Sequence, residues 1–266
     1  MPFDVSIAAV TTAPALPPAW TATETAYWAG LVLGAYLLGS IPFGLLIGLA
    51  KGVDVRQHGS KNIGTANVGR TLGRKWGVLT FFLDALKGFL PVLVAGFVLK
   101  TIARPEVPSH LAWAWLVVGV CAVVGHMWSP FLKFKGGKGV ATGFGAMLAV
   151  FPILSLPAMA AFLVWLACVK TTRFIGLSSC VAAASIPFLL IFVTPVCRYF
   201  GLFVPEPGAP VTWPLWPYVT VAVLLALMVV WRHRSNIARM LNGTEPRYGR
   251  KPPPAAAPAE PPAARP

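Results

Sequence analysis

VATGFGAMLAVFPILSLPAMAAFLVWLACV, residues Val140 to Val169, decides how this chain is organised. The stretch is apolar throughout and longer than the ~20 residues that carry a helix across a bilayer. Pro152 and Pro157 interrupt it. A proline inside a helix removes a backbone donor and clashes with the turn before it. The stretch is therefore read as two short helices, about 140–151 and 153–169, that form a hairpin. Outward from it, further spans are predicted at about Thr25–Ala50, Trp76–Leu99, Leu111–Phe131, Phe174–Val196 and Pro214–Trp231. The first contains GSIPFG, Gly39 to Gly44, where Pro42 kinks the helix and frees backbone groups. The fold class expected is an all-α polytopic membrane protein of about seven transmembrane helices.

The composition agrees. The chain is 56% hydrophobic and 11% charged, with a mean hydropathy of +0.71, whereas soluble domains carry roughly 25% charged residues. The net charge of +14 gathers between the apolar stretches, which points to membrane-flanking loops and away from nucleic acid. One set of loops holds Lys51, Arg56, Lys61, Arg70, Arg74 and Lys75, then Lys133, Lys135 and Lys138, then Lys170 and Arg173, then six more from Arg232 to Lys251. The opposite loops hold only Lys100, Arg104 and Arg198. The positive-inside rule then places the N-terminus outside and the C-terminus in the cytoplasm. Residues 1–24 are expected to be a loosely ordered leader, 25–250 a single transmembrane domain, and 251–266 a disordered Pro/Ala-rich tail. Cys121, Cys168, Cys180 and Cys197 have no metal-ligand spacing and read as small core hydrophobes.

The polar motifs fall on the cytoplasmic side. GSKNIGTANVGRTLG, Gly59 to Gly73, shows no apolar periodicity and is expected to be a loop. Its glycines allow backbone N–H groups to turn toward an anion, and Ser60, Lys61, Thr65 and Arg70 could add bonds to phosphate oxygens. KFKGGKGVATGFG, Lys133 to Gly145, opens a helix with glycines and lysines, and a helix N-terminus attracts anions. It lacks the full nucleotide P-loop pattern. Asp84 and Lys87 lie three apart in an apolar helix, where they can pair or face a polar cavity. His126 could relay protons or bond backbone near Pro130. In RHRSNIARMLNGTE, Arg232 to Glu245, His233 and Asn236 share a face if the last helix continues.

In order, GSIPFG, GSKNIGTANVGRTLG, FLDALKG, GHMWSPFLKFKGGKGVAT and RHRSNIARMLNGTE resemble the bacterial acyl-phosphate:glycerol-3-phosphate acyltransferase family, from about Tyr27 to Gly249. The resemblance implies a seven-helix inner-membrane enzyme that moves an acyl chain from acyl phosphate to the 1-hydroxyl of glycerol 3-phosphate, giving lysophosphatidic acid and phosphate. It implies Ser60, Arg70, Lys138, His233 and Asn236 as catalytic residues. Asn62, Gly64, Thr65, Asn67, Lys135, Gly136, Gly137, Gly139 and Ser179 are implied in substrate or phosphate binding, and Glu245 in a structural role. The family usually reads GSGNIGATN, so Lys61 stands here for a glycine, and Gly176 stands where a serine is usual. Partners expected are glycerol 3-phosphate, acyl phosphate and membrane lipid, with a monomeric chain and neither metal nor cofactor.

No histidine is followed by an aspartate five residues on, so the dyad of other glycerolipid acyltransferases is absent, and no cysteine stands out as a nucleophile. Direct transfer is expected, with His233 or a substrate phosphate oxygen taking the proton. A transporter for a small phosphorylated anion is the alternative, although such sites lie at the midplane between repeated halves. An enzyme using nucleotide-activated alcohols would need clustered acidic metal ligands, and the eight carboxylates are scattered.

Overall fold

The computed structural model describes residues 20–104, 107–199 and 215–249. The leader up to residue 19 and the tail from residue 250 lie outside them. The described residues form helices: α1 Ala22–Ser40, α2 Phe43–Ala50, α3 Thr65–Leu72, α4 Arg74–Val98, α5 Ser109–Met127, α6 Val140–Ala149, α7 Ser155–Thr172, α8 Ile175–Tyr199, α9 Trp216–Arg232 and α10 Arg234–Leu241. α1 begins ahead of the Thr25 expected from hydropathy, because Thr21 and Glu24 cap it reciprocally.

Pro42 splits the first span into α1 and α2, as its ring requires. The carbonyl of Ile41 is left without a helical partner, and Lys87 Nζ of α4 donates to it at 2.6 Å. The same ammonium lies 2.9 Å from Asp84 Oδ1, and His126 Nδ1 lies 3.7 Å from that oxygen. All three side chains are buried. The intramembrane charges thus form a pair with each other, and a third partner comes from α5.

Five of the described helices are long and apolar enough to cross a membrane, with α1 and α2 taken as one span, or six if α9 and α10, bent by 51°, count together. The proline-broken stretch does form two helices. α7 has 18 residues, but α6 has only 10 and rises about 15 Å against a core of about 30 Å. The Phe151 carbonyl just beyond α6 nevertheless accepts from Ala103 N–H, in the connection between α4 and α5, at 3.1 Å.

Helices approach closely at small residues. A Cβ on Gly88 of α4 would overlap the Thr142 carbonyl of α6, and one on Gly145 of α6 would overlap the Ala85 carbonyl of α4. Gly39 and Gly125 play the same part between α1 and α5. In lipid, where burial of apolar surface gives no drive to associate, such contacts hold the bundle. Tryptophans mark its two ends. Trp28 of α1 donates to the Ala114 carbonyl of α5, and Trp113 packs on Trp216 of α9 at 5.3 Å. At the opposite end Trp128 stacks on Trp231. α1, α5 and α9 therefore run the same way, and the end where α5 and α9 finish carries the polar motifs.

The expectation of a loop throughout Gly59–Gly73 is corrected, because Thr65–Leu72 is helical. Two glycine-flanked turns of polar residues have little intrinsic helix propensity. Packing supplies what propensity lacks: Val68 and Asn67 are buried, and Gly69 meets Gly77 of α4 backbone to backbone.

Candidate functional site

Asn67 organises the first loop. Its Nδ2 donates to the carbonyls of Val55 (2.8 Å), His58 (3.1 Å) and Asn62 (2.8 Å), and its Oδ1 accepts from Ser60 N–H at 2.8 Å. Both ends of the amide are engaged, so Asn67 shapes the loop and orients Ser60 and has no hydrogen left for a phosphate. Asn62 is likewise turned inward, with Oδ1 accepting from Gly64 N–H at 2.9 Å just ahead of α3, whose first residue is Thr65. Lys61 sits at φ 57, in the left-handed region. That region costs a side-chain-bearing residue about 1 kcal/mol.

Ser60, Lys61 and Arg70 line a cleft of about 290 Å³, completed by Gly59, Arg239, Thr244 and Pro246. Arg70 also donates to the Pro246 carbonyl at 3.4 Å, tying α3 to the segment after α10. Three of the seven lining residues are cations and none is acidic.

The glycine-rich loop folds back on the end of α5. Gly136 and Gly137 N–H donate to the carbonyls of Met127 (3.1 Å) and His126 (3.0 Å), which the end of α5 leaves unpaired. Their own carbonyls accept from Arg232 Nη2 at 2.9 and 2.5 Å. Those two amides therefore cannot cradle an anion, and Gly136 and Gly137 act by close packing. A Cβ on Gly137 would overlap the His126 ring. The amides free by helix geometry come later, at the start of α6 after Gly139, the residue of positive φ that opens the helix. Lys135 is exposed in the loop that leads to them.

The bend at His233 separates α9 from α10 and keeps His233 and Asn236 both buried. His233 Nδ1 lies 2.8 Å from the Val229 carbonyl. A carbonyl only accepts, so Nδ1 carries the hydrogen and Nε2 bears the lone pair in the neutral ring. Lys138 Nζ donates to Asn236 Oδ1. Asn236 Nδ2 donates to Glu245 Oε1 at 2.6 Å, and Arg239 Nε to Glu245 Oε2 at 2.7 Å. One hydrogen-bonded chain thus runs from Lys138 to Arg239, which lines the cleft that Ser60 and Arg70 also line. Burial pushes Lys138 down to about 8, against the pull of Glu245, so near neutrality it is charged but poised to titrate.

Of the expected residues, Lys138, Asn236 and Glu245 are joined by this chain, and Ser60 and Arg70 line the cleft at its end. Ser179 stands apart in α8: its Oγ donates to the Ile175 carbonyl at 2.9 Å and accepts from Trp165 Nε1 at 3.3 Å. Gly176 faces the site instead, and a Cβ there would press on the Asn236 amide. Sequence reasoning missed Arg232 and Arg239. Arg232 is packed by Trp128 and Trp231 as it grips the glycine loop. In the sequence it looked like any cation ending a span; a tryptophan before it was the one available signal. Among the described residues no group of three His, Cys, Asp or Glu could hold a metal ion.

A family model described as "Glycerol-3-phosphate acyltransferase" matches residues 29–243. The chain is 42% identical over 216 residues to the glycerol-3-phosphate acyltransferase of Geotalea daltonii, covering 81% of this chain and 94% of that one. It is also 42% identical over 218 residues to that of Aquifex aeolicus, covering 82% and 97%. Two crystal structures of PlsY (YgiH), an integral membrane glycerol 3-phosphate acyltransferase, superpose on it. The glycerol 3-phosphate form has a TM-score of 0.67 at 40% identity, and the lysophosphatidic acid form 0.66 at 39%; each match covers 84% of this chain and 96% of the other.

Proposed function

The chain belongs to the glycerol-3-phosphate acyltransferase family, and on that premise we propose that it transfers a fatty acyl group from acyl phosphate to the 1-hydroxyl of sn-glycerol 3-phosphate. The products are lysophosphatidic acid and inorganic phosphate. The observation that carries this reading is the gathering of cations at one end of the bundle: Arg70 and Arg239 line one cleft with Ser60, and Arg239 is joined to Lys138 through Glu245 and Asn236. Both substrates carry phosphate, and fixed cations suit both.

In the proposed reaction the glycerol hydroxyl attacks the acyl carbonyl, an ester C–O bond forms, and the C–O bond to phosphate breaks. Arg70, Lys138 and the Ser60 hydroxyl hold phosphate oxygens and stabilise the charge that gathers on the leaving phosphate. Asn236 orients Lys138. His233, neutral with its hydrogen on Nδ1, takes the hydroxyl proton at Nε2, or a phosphate oxygen of the substrate does so. Lys135, Gly139 and the start of α6 contribute to phosphate binding, with Thr65 as a further candidate.

The protein is a multi-pass membrane protein, and the loop charges support placing it in the bacterial cytoplasmic membrane with seven crossings, the N-terminus outside and the site facing the cytoplasm. It acts as a monomer, and the acyl chain enters from the lipid. The experiment is acyl transfer by the purified protein from palmitoyl phosphate, beside palmitoyl-CoA, to labelled glycerol 3-phosphate, with a Ser60→Ala control. Lysophosphatidic acid from the acyl phosphate alone, lost in the variant, is the expected result. Absence of product from a folded protein that still binds glycerol 3-phosphate would overturn it. A trapped acyl-Ser60 species would refute direct transfer.

A further inference from the structure

Lys61 holds a backbone conformation that suits glycine, at φ 57. It closes the turn from His58, whose carbonyl accepts from Lys61 N–H at 3.0 Å. A glycine would make that turn without the steric cost of a Cβ. The exposed side chain recovers nothing from internal pairing, since among the described residues its ammonium meets no carboxylate. What it does border is the cleft, where it joins Ser60, Arg70 and Arg239. Glu245, the acid closest in sequence to the lining, is buried with both oxygens held by Asn236 and Arg239, so it does not neutralise the lysine. A non-glycine residue kept in the left-handed region beside a functional cleft is where a conformational cost is retained for a purpose.

We propose that Lys61 is a substrate-binding residue of this chain, the third cation of the cleft, which takes a terminal phosphate carrying close to two negative charges. The inference rests on the acyl-transfer reading for its choice of ligand. Glycerol 3-phosphate and acyl phosphate share the required chemistry, and the measurements below tell them apart. A single point charge on a flexible stem adds attraction without fixing orientation, so its effect belongs in binding and not in the chemical step.

The test compares Lys61→Gly, Lys61→Met and Lys61→Arg with the parent chain. KM and kcat are measured for each substrate at saturating levels of the other, with thermal unfolding in detergent alongside. Lys61→Gly and Lys61→Met are expected to raise KM for at least one phosphate substrate about 3- to 10-fold, as for a partly screened charge-assisted contact. In both, kcat stays within about twofold, as expected for loss of uniform binding. Lys61→Arg keeps KM within about twofold because the charge is retained. Lys61→Gly melts no lower than the parent, which separates a binding role from a structural one. The substrate whose KM moves is the one whose phosphate occupies the cleft. Unchanged KM for both substrates in the Gly and Met variants overturns the proposal. So does a loss confined to kcat and melting temperature. Equilibrium binding of labelled glycerol 3-phosphate and of inorganic phosphate is read on the same proteins. If the parent shows no acyl transfer, the functional reading fails on its own. Weaker phosphate binding by Lys61→Met would then still uphold the lysine's role, and equal binding would end it.

Discussion

Glu245→Gln is the substitution that most sharply probes how the site is held. The Glu245 side chain is 1% exposed and takes Asn236 Nδ2 on one oxygen and Arg239 Nε on the other. Glutamine keeps the shape but replaces one acceptor by an N–H2 donor, so one of the two incoming donors meets another donor. A hydrogen bond to a charged group contributes about 1.5–3 kcal/mol, and a buried group left unpaired costs about 1–3 kcal/mol. Arg239 is 33% exposed and regains water, so the ion-pair part is discounted. The net loss is about 2–3 kcal/mol of stability. The second consequence is electrostatic. Burial lowers Lys138 to about 8, and Glu245 opposes that shift. Lys138 is charged below its pKa and neutral above it, so activity that needs the ammonium falls as pH rises through about 8. Without the Glu245 charge, this alkaline limb moves to lower pH. The assay is the pH–rate profile of acyl transfer, with urea or thermal unfolding in detergent for the stability arm. An alkaline limb that stays in place or moves upward refutes the linkage between Glu245 and Lys138.

Three further perturbations follow from the geometry. Lys87→Met strands the buried Asp84 carboxylate and leaves the Ile41 carbonyl with only the Phe43 N–H, and should cost about 3–5 kcal/mol; the double variant with Asp84→Asn should be milder, as a double-mutant cycle on unfolding would read. Gly137→Ala drives a methyl into the His126 ring and displaces the loop that carries Lys138. Activity should drop about 100-fold, as an ångström-scale misplacement can cost, and combining it with His126→Ala should restore part of the rate. Arg232→Lys gives up the grip on the Gly136 and Gly137 carbonyls. A fall in kcat of about tenfold at normal expression is expected, because an ammonium does not reproduce the planar fork; an unchanged kcat would remove Arg232 from the positioning machinery.

Sequence alone determined the helical class, the position of every long apolar segment and the clustering of polar motifs at one end. Those features follow from local rules. Lipid demands internally bonded helices about 20 residues long, proline breaks them at Pro42 and near Pro152, and basic residues collect in loops. The resemblance of the motifs also pointed to the family that the comparisons identify. Tertiary structure decided what each polar residue does. Helix α3 was illegible because its stability comes from Asn67, Val68 and the Gly69–Gly77 contact, not from propensity. Asn67 gave no sign in the sequence of organising its loop, since only the fold brings three carbonyls around its amide. Arg232 and Arg239 looked like a stop-transfer tail until packing set one against the glycine loop and the other against Glu245. A charge's role depends on which partners lie within about 4 Å of it, and that proximity is created between segments far apart in the chain.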